Sequence, residues 1–215
     1  MAILNVLPDP DNKSNESGNV DASGVAGPGF ASVSLSSKQN IMRDRTNSGR
    51  LISRVNAFHQ WDISISYNPM LKTEFDPVHT FLLEKQVSLT PFYVALPQYN
   101  NQSTTNKTVN GAKSAGAYTL TLDSFSSGAI SRGDIFNIVD SSHTNHTKTY
   151  MVTRVDASTN SITFTPGLAM AVTDNSTLNF ATPKVRVIQT GDVVQYSLNT
   201  ENLYSFSLKL EEASS

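Results

Sequence analysis

The sequence has no cysteine among its 215 residues, and charged side chains make up only 16% of it. Without thiols, a disulfide framework, a thiolate metal site, an iron–sulfur cluster and a cysteine nucleophile are all excluded. The 16 basic and 18 acidic residues give a formal net charge of −2. This even balance argues against a broad nucleic-acid-binding face. No apolar run approaches the length of about 18 residues that a membrane-spanning helix needs.

The opening stretch MAILNVLPDPDNKSNE has neither a basic region nor a long apolar region of the secretory type. We therefore expect a chain that is made without an export signal. At about 100–200 residues per domain, the length allows one domain or two small ones. The hydrophobic fraction of 38% is enough for a modest core.

Sequence motifs of catalysis are missing. No G-x-S-x-G nucleophile elbow, G-x-x-x-x-G-K-[ST] phosphate loop or G-x-G-x-x-G turn occurs. The acidic residues near the two ends are expected to be solvated, so that they form no fixed carboxylate pair: Asp9, Asp11, Glu16, Glu211 and Glu212. We predict no catalytic residue, no cofactor-binding residue and no metal ligand.

Two of the four histidines stand close together in the sequence. The segment His143-Thr-Asn-His146 has a spacing that a metal ion could use. It lies in a Ser/Thr/Asn-rich stretch whose nearest acid is Asp140, so a solvated loop is our interpretation and a metal site the alternative. His79 is expected on a helix surface, and His59 begins a predicted strand.

The first fifty residues do not have the pattern of a packed domain. Residues 8–29 are dense in Pro, Asp, Asn, Ser and Gly and hold only isolated aliphatic residues. Little apolar surface is available there to offset the backbone ordering cost of about 1–2 kcal/mol per residue. Residues 1–50 are interpreted as an extended arm, which either is flexible or becomes ordered on another subunit. The alternation over 30–35 indicates one short strand.

Arginines are concentrated between residues 43 and 54, at Arg43, Arg45, Arg50 and Arg54. A solvated connector is the preferred interpretation of this stretch. The alternative is a segment that grips an acidic neighbouring surface or DNA phosphate.

Two segments alternate with the period of a half-buried antiparallel strand. In residues 59–67 the apolar face consists of Trp61, Ile63, Ile65 and Tyr67. In residues 204–210 it consists of Tyr204, Phe206, Leu208 and Leu210. Because the two segments match in character, we predict that they pair in one sheet.

One helix is predicted, over residues 73–86, because Phe75, Val78 and Leu82 recur at helical spacing. Thr73 is one candidate N-cap. Asp76 is the other, and it would make Pro77 the first helical residue. The aromatic residues of this region are interpreted as core rather than as a carbohydrate platform: Trp61, Phe75, Phe81, Phe92, Tyr93 and Phe206.

The remainder of the chain has the pattern of short strands separated by turns. Strands are predicted over 92–96, 118–122, 134–139, 149–155, 161–165, 177–180, 184–190 and 193–198. Residues 97–116 contain no apolar cluster and form a long loop. We divide the chain into an arm (1–50), a β domain built from both ends (51–110 plus 183–215) and an inserted β module (111–182), which is a small barrel or sandwich.

Three segments carry a resemblance to a known family. They are Phe58-His-Gln-Trp-Asp-Ile-Ser-Ile-Ser-Tyr-Asn-Pro-Met70, the acidic helix ending Phe81-Leu-Leu, and Phe92-Tyr-Val-Ala-Leu-Pro97. Together with the inserted module and the ending at 183–212, they resemble the distal tail proteins of tailed bacteriophages. The likeness covers about residues 55–212. The first fifty residues match no family that we can name.

The resemblance implies a mainly β fold, with an antiparallel β-sandwich-like tail-ring domain, one short helix and the inserted module. It implies a non-enzymatic virion protein of the tail tip or baseplate, made in the host cytoplasm. Such proteins form a ring, often six-fold, that joins the tail tube to the hub and fibres. The expected partners are copies of itself and other tail proteins, with no membrane and no specific nucleic acid.

On this interpretation the edges of the 58–67 and 203–211 strands continue the tube, and the inserted module faces outward. The alternatives are a module that binds a host surface or anchors a fibre through loops 97–116 and 140–148, or a ring protein of the tail terminator or tube adaptor.

Overall fold

The computed structural model describes residues 3–86, 88–99, 106–123, 129–191 and 195–213, with backbone alone at 55–58. The mainly β fold with one short α-helix is confirmed for these residues. The helix α1 is Lys72–Glu84, and a 3-10 turn covers Pro97–Tyr99. The strands are β1 Phe30–Arg45, β2 Leu51–Tyr67, β3 Phe92–Ala95, β4 Lys107–Thr108, β5 Thr119–Thr121, β6 Ile135–Val139, β7 Thr149–Asp156, β8 Ser161–Thr165, β9 Thr177–Asn179, β10 Lys184–Gln189, β11 Tyr196–Leu198 and β12 Tyr204–Glu212.

The chain divides into two compact units, and both are assembled from separate segments. The first unit contains Pro8–Thr90 and Ile188–Glu212. The second contains Ala2–Leu7, Pro91–Val187 and Ala213–Ser215. The division predicted from the sequence, with boundaries at residues 50, 110 and 182, stays a prediction.

A long antiparallel hairpin and the last strand form the sheet of the first unit. Strands β1 and β2 pair from Phe30↔Tyr67 to Arg45↔Leu51. Strand β12 lies on the other side of β2, with Leu208 opposite Ile65 and Leu210 opposite Ile63, which confirms the predicted pairing. Strand β1 is far longer than the short strand that the alternation over 30–35 indicated.

Phe75 is the aromatic centre of the contact between the helix and this sheet. The Phe75 ring is buried and stacks on the Tyr204 ring at a centroid distance of 4.6 Å. His79 stacks on the other side of Phe75, with its centroid 4.9 Å away, so His79 is half-buried rather than free on the helix surface. Aromatic contacts of this kind add about 0.5–1.5 kcal/mol beyond area burial.

The helix begins earlier than either predicted cap. Its N-cap is Leu71, and the Glu74 carboxylate accepts the Leu71 backbone N–H over 3.2 Å. The predictions of Thr73 and of Asp76 as the N-cap are therefore wrong. Pro77 lies inside the helix, where it has no N–H to offer the carbonyl of Thr73.

The segment between Pro8 and Gly29 is folded into turns held by its own backbone. Ser14 exchanges two backbone hydrogen bonds with Val25, at 3.2 and 2.8 Å. Asp9 is buried, and its carboxylate accepts the N–H groups of Asp11 and Asn12. The expectation that Asp9 is solvated is wrong, because the turn that follows it uses its carboxylate as an acceptor.

The six strands from β4 to β9 form an antiparallel sheet in the order β4-β9-β6-β7-β8-β5. The two end strands meet: Asn110 donates its N–H to Thr121, and Asp123 donates to Thr108. These bonds, with the bridge Val109↔Leu122, close the sheet into a barrel. Most of the strands predicted for the inserted module thus form a barrel, the first of the two predicted alternatives, and within the described residues closure leaves this sheet without a free edge.

The interior of the barrel is filled by aromatic and aliphatic side chains from every wall. Phe136 packs against three other rings, those of Tyr150, Phe164 and Phe180, at centroid distances of 5.0–5.5 Å. All four rings are completely buried. The same cluster includes Val109, Leu120, Leu122, Ile130, Ile138, Val152, Ile162, Leu168, Val172 and Leu178.

The second unit also contains a small ladder outside the barrel. Strand β3 pairs with β10 over Phe92↔Val187 to Ala95↔Lys184. The segment before Pro8 adds to β3: Leu7 donates its N–H to Tyr93, and Tyr93 donates to Asn5. Leu4 and Leu7 are buried there, so this part of the predicted arm is a packed element.

The predicted strand over 193–198 falls partly outside the described residues, since Val193 and Val194 are not described. The predicted core aromatics are buried, with Tyr93 only partly so. Within the described part of the chain, no helix has the length and apolar character needed to cross a membrane.

Candidate assembly surface

The far end of the β1–β2 hairpin, residues 41–54, extends beyond the part of β2 that pairs with β12. We call it the hairpin tip. Its turn is closed by Thr46, which donates its N–H to Arg50 and accepts the Arg50 N–H on its hydroxyl. Gly49 has a φ of +82°, a conformation that glycine adopts at little cost. Thr46 and Gly49 thus define the turn, and in the part of the chain that the structure describes no strand outside the hairpin pairs with residues 41–54.

Large apolar side chains are exposed on the tip. Met42 is 63% exposed, and Leu51 and Ile52 are each more than half exposed. Cross-strand partners lie on the same face of a hairpin, so the pairing Met42↔Arg54, Asp44↔Ile52 and Arg45↔Leu51 mixes apolar and charged side chains on both faces. Exposed apolar surface of this kind marks an interaction site.

The tip also carries a strong local charge. Its four arginines and one aspartate give a net charge of +3, in a chain whose total is −2. All four arginines are exposed, and among the described residues none of them forms an ion pair with an acid of the same chain. The structure thus brings the predicted arginine cluster together on one hairpin; the arginines are solvated as expected, but they lie on two paired strands and their turn rather than on an irregular connector.

Strand β1 is also an edge strand. In the described sheet only β2 pairs with it, so one side of its sixteen residues carries unpaired backbone donors and acceptors. Such an edge is a template for pairing with another chain. The sequence signal that would have revealed the hairpin is Asn47-Ser-Gly49, a turn sequence between two β-rich segments.

The histidine pair lies in the second unit and is more buried than predicted. The Asp140 side chain is fully buried and accepts four hydrogen bonds, from Ser142 N, Thr173 N, Thr173 Oγ1 and His143 Nδ1. Burial alone would raise the pKa of Asp140, but these hydrogen bonds together hold it well below its ordinary value.

His146 is also buried, and its Nε2 lies 2.7 Å from the Tyr150 hydroxyl. The interpretation of the His143–His146 segment as a solvated loop is therefore wrong for His146. The residues described contain no group of three or more His, Cys, Asp or Glu side chains arranged to hold a metal ion. What the cluster does is tie the 140–148 loop to the turn at Thr173.

A cleft of about 620 Å³ opens beside this loop in the second unit. Val6, Tyr93, His143 and Lys184 are among the residues that line it. Asn137 also lines it, but its amide already bonds to Thr149 and to the Lys184 backbone. The Asn137 amide is thus committed to the fold.

The described residues thus form a β-rich scaffold that exposes the apolar and cationic hairpin tip. The chain is similar to structural proteins of the phage tail: a family model described as the N-terminal part of the A domain of distal tail protein pb9 matches residues 19–99. The distal tail protein pb9 of Escherichia phage T5 is 27% identical over 195 residues, which cover 87% of this chain and 93% of that protein. The predicted resemblance to distal tail proteins is confirmed, and it supports a structural role in the virion tail.

Proposed function

We propose that this chain is the subunit of an oligomeric ring, six-fold in the simplest case, at the tip or baseplate of a phage tail. The ring joins the tail tube to the hub and fibres, and the subunit acts by shape rather than by catalysis. The observation that carries the proposal is the hairpin tip, with its exposed Met42, Leu51 and Ile52 and its four arginines. The similarity to distal tail protein pb9 supports the same role.

The tip has the composition of an interface rather than of an ordinary loop. A two-stranded ribbon without further packing is marginally stable in water. Methionine and arginine are enriched in protein interfaces. Burying the exposed apolar side chains on a neighbour would contribute about 25 cal/mol for each Å² removed from water.

The shape of the contact favours a ring. The hairpin tip and the surface that receives it are different parts of the subunit, so a contact made in one direction only is head-to-tail. Head-to-tail contacts close into a ring when the rotation between subunits divides a full turn evenly.

The test replaces exposed apolar residues of the tip by serine. The variant Met42→Ser/Ile52→Ser removes apolar surface from the tip and leaves the buried core untouched. The control is Leu89→Ser, because Leu89 lies outside the tip and is at least as exposed as Met42 and Ile52. Sedimentation velocity at high protein concentration should show rings for the wild type and the control, and smaller species for the double variant.

Negative-stain images of the same samples give the subunit number. A wild-type chain that stays monomeric at every concentration contradicts the proposal. So does a double variant that forms rings as readily as the control.

A second candidate function is a binding module for a host surface or a fibre, favoured by the cleft beside Tyr93 and His143. Binding of soluble host-surface polysaccharide to the full chain, measured by calorimetry, tests it. His143→Ala should then weaken binding, with Arg132→Ala as a control on the same unit. Absence of binding by the wild type removes the host-surface alternative.

A further inference from the structure

We propose that the hairpin tip of one subunit binds the acidic loop of a second copy of this chain. The acidic loop is residues 10–25 of the first unit. This inference rests on the proposed ring and names the surface that receives the arm.

The acidic loop has the opposite charge to the tip. Asp11, Glu16 and Asp21 outweigh Lys13, which gives a net charge of −2 against +3 on the tip. Opposed potentials of this kind steer association and fix which surfaces meet. The charge is also local, because the whole chain is close to neutral.

The acidic loop exposes apolar side chains as well. Val20 and Val25 are each 52% exposed, although they belong to a stretch with few aliphatic residues. The tip presents the matching combination, with Met42 and Ile52 beside Arg54 and Arg50. Each surface can therefore bury apolar area of the other while its charges pair around the contact.

The loop is a preformed surface rather than a flexible tail. Its backbone is closed by the Ser14–Val25 pair and by Asp21, which donates its N–H to Lys13. A Cβ on Gly24 would overlap the backbone of Ser14, so the two strands of the loop are in close contact. A preformed site loses little entropy on binding.

The acidic loop also lies against another acid. Glu84, at the end of α1, has its carboxylate 3.8 Å from the position that a Cβ on Gly18 would take. Leu83, which precedes it, is exposed. The helix end thus extends the same combination of acidic and apolar surface.

The tip lies far along the hairpin from the acidic loop. Strand β1 begins at Phe30, five residues after the loop, and runs to Arg45 with register irregularities against β2 at 30–32 and 39–41. At about 3.3 Å per residue, the twelve residues from Phe30 to Met42 carry the tip about 40 Å from the start of the strand. We therefore assign the receiving loop to a second copy.

The test is a charge exchange between the two surfaces. Variant A, Glu16→Lys/Asp21→Lys, reverses the loop, and variant B, Arg43→Glu/Arg45→Glu, reverses the tip. Each should weaken self-association by at least about tenfold, because like charges then face each other. The variant that carries all four substitutions restores opposite signs and should recover association, as should an equimolar mixture of A and B.

Matched controls place the same changes elsewhere. Glu201→Lys and Arg132→Glu reverse exposed charges outside both surfaces and should leave association unchanged. Circular dichroism checks that each variant is folded before its association is measured. Sedimentation velocity is repeated at low and high salt, since screening should weaken the wild-type contact.

The outcomes separate the two proposals. If the wild type does not self-associate, the proposed ring and this inference both fail. If the wild type forms rings and variant A does so equally well, or if the four-fold variant is weaker than either parent, the ring stands and the acidic loop is not its receptor. A third outcome would make nucleic-acid phosphate the ligand of the tip instead. In that case variant A self-associates normally, variant B does not, and the wild-type protein binds duplex DNA.

Discussion

The carboxylate of Glu212 accepts a hydrogen bond from the backbone N–H of Trp61, with 3.2 Å between Oε2 and N. The two residues are 151 positions apart in the chain, and Glu212 is buried. The prediction that Glu212 is a solvated end is wrong. This contact joins the last residue of β12 to the strand that carries the buried face of the first unit.

We expect Glu212→Ala to lower the free energy of unfolding by about 1–3 kcal/mol, because it leaves a buried donor without its acceptor. Urea denaturation followed by tryptophan fluorescence measures the loss, since Trp61 is the only tryptophan. Glu211→Ala is the control, and it should cost clearly less. Equal losses in the two variants would contradict a specific role for the Glu212 bond.

The barrel should lose stability on mild acidification because of His146. Burial lowers the pKa of His146 from 6.5 to about 4; Asp140 raises it slightly, and His143 lowers it. Below pH 6.5 the unfolded chain binds a proton on this ring, whereas the folded chain does so only near pH 4. The stability is thus complete above pH 6.5 and is lost as the pH falls toward 4.

The melting temperature measured from pH 7 to pH 4 checks this expectation. His146→Gln removes the titration and should flatten the profile in that window. Asp140 also destabilises the fold as the pH falls, but its effect begins only near its ordinary pKa of 3.8. The effects of His146 and Asp140 on stability therefore appear in different pH ranges. An unchanged slope in His146→Gln would contradict the assignment.

Pro77 weakens the helix in which it lies. Pro77→Ala restores a backbone N–H opposite the Thr73 carbonyl and should raise the free energy of unfolding by about 1–2 kcal/mol. Thr73→Ala should be nearly neutral, since Thr73 is not the N-cap. Thermal melts of both variants test the pair of expectations, and a destabilised Pro77→Ala would overturn the first.

The packing of the segment after Pro8 is tested by two neighbouring glycines. A Cβ on Gly27 would overlap the carbonyl of Pro8, whereas a Cβ on Gly29 would meet only a side-chain atom of Pro10 at 3.9 Å. Gly27→Ala should therefore destabilise the protein by more than about 2 kcal/mol, and Gly29→Ala by much less. Chemical denaturation of the two variants gives the comparison, and similar midpoints would show that the segment is not ordered on the first unit.

The sequence predicted strands and their pairing correctly where one face of a strand is buried and the other is exposed to solvent. The alternation at Trp61, Ile63 and Ile65 and that at Leu208 and Leu210 predicted both the strands and their pairing, because periodicity two reports the burial of one face directly. The family resemblance rested on the same segments. The resemblance therefore predicted a structural role in the phage tail although the sequence contains no catalytic motif.

Burial of polar residues was not predictable in the same way. Asp9 and His146 lie in stretches of polar composition, and each is buried because backbone or side-chain partners from the fold satisfy it. Glu212 continues the buried face of Phe206, Leu208 and Leu210, but its charge argued for a solvated end, and its acceptor role toward Trp61 depends on the fold. Those partners are distant in sequence or depend on a turn. The hairpin tip was missed for a different reason: both of its faces are exposed, so it has no alternation that periodicity could detect.

The bonds from Asn110 to Thr121 and from Asp123 to Thr108 have a practical consequence for protein engineering. These bonds join the two end strands of the barrel. A truncated protein that begins or ends between residues 107 and 123 would lose them, and the barrel would open and expose the unpaired backbone groups of two strands. Fragments of the inserted module should thus be cut outside 107–180 if they are to stay dispersed when produced at high yield.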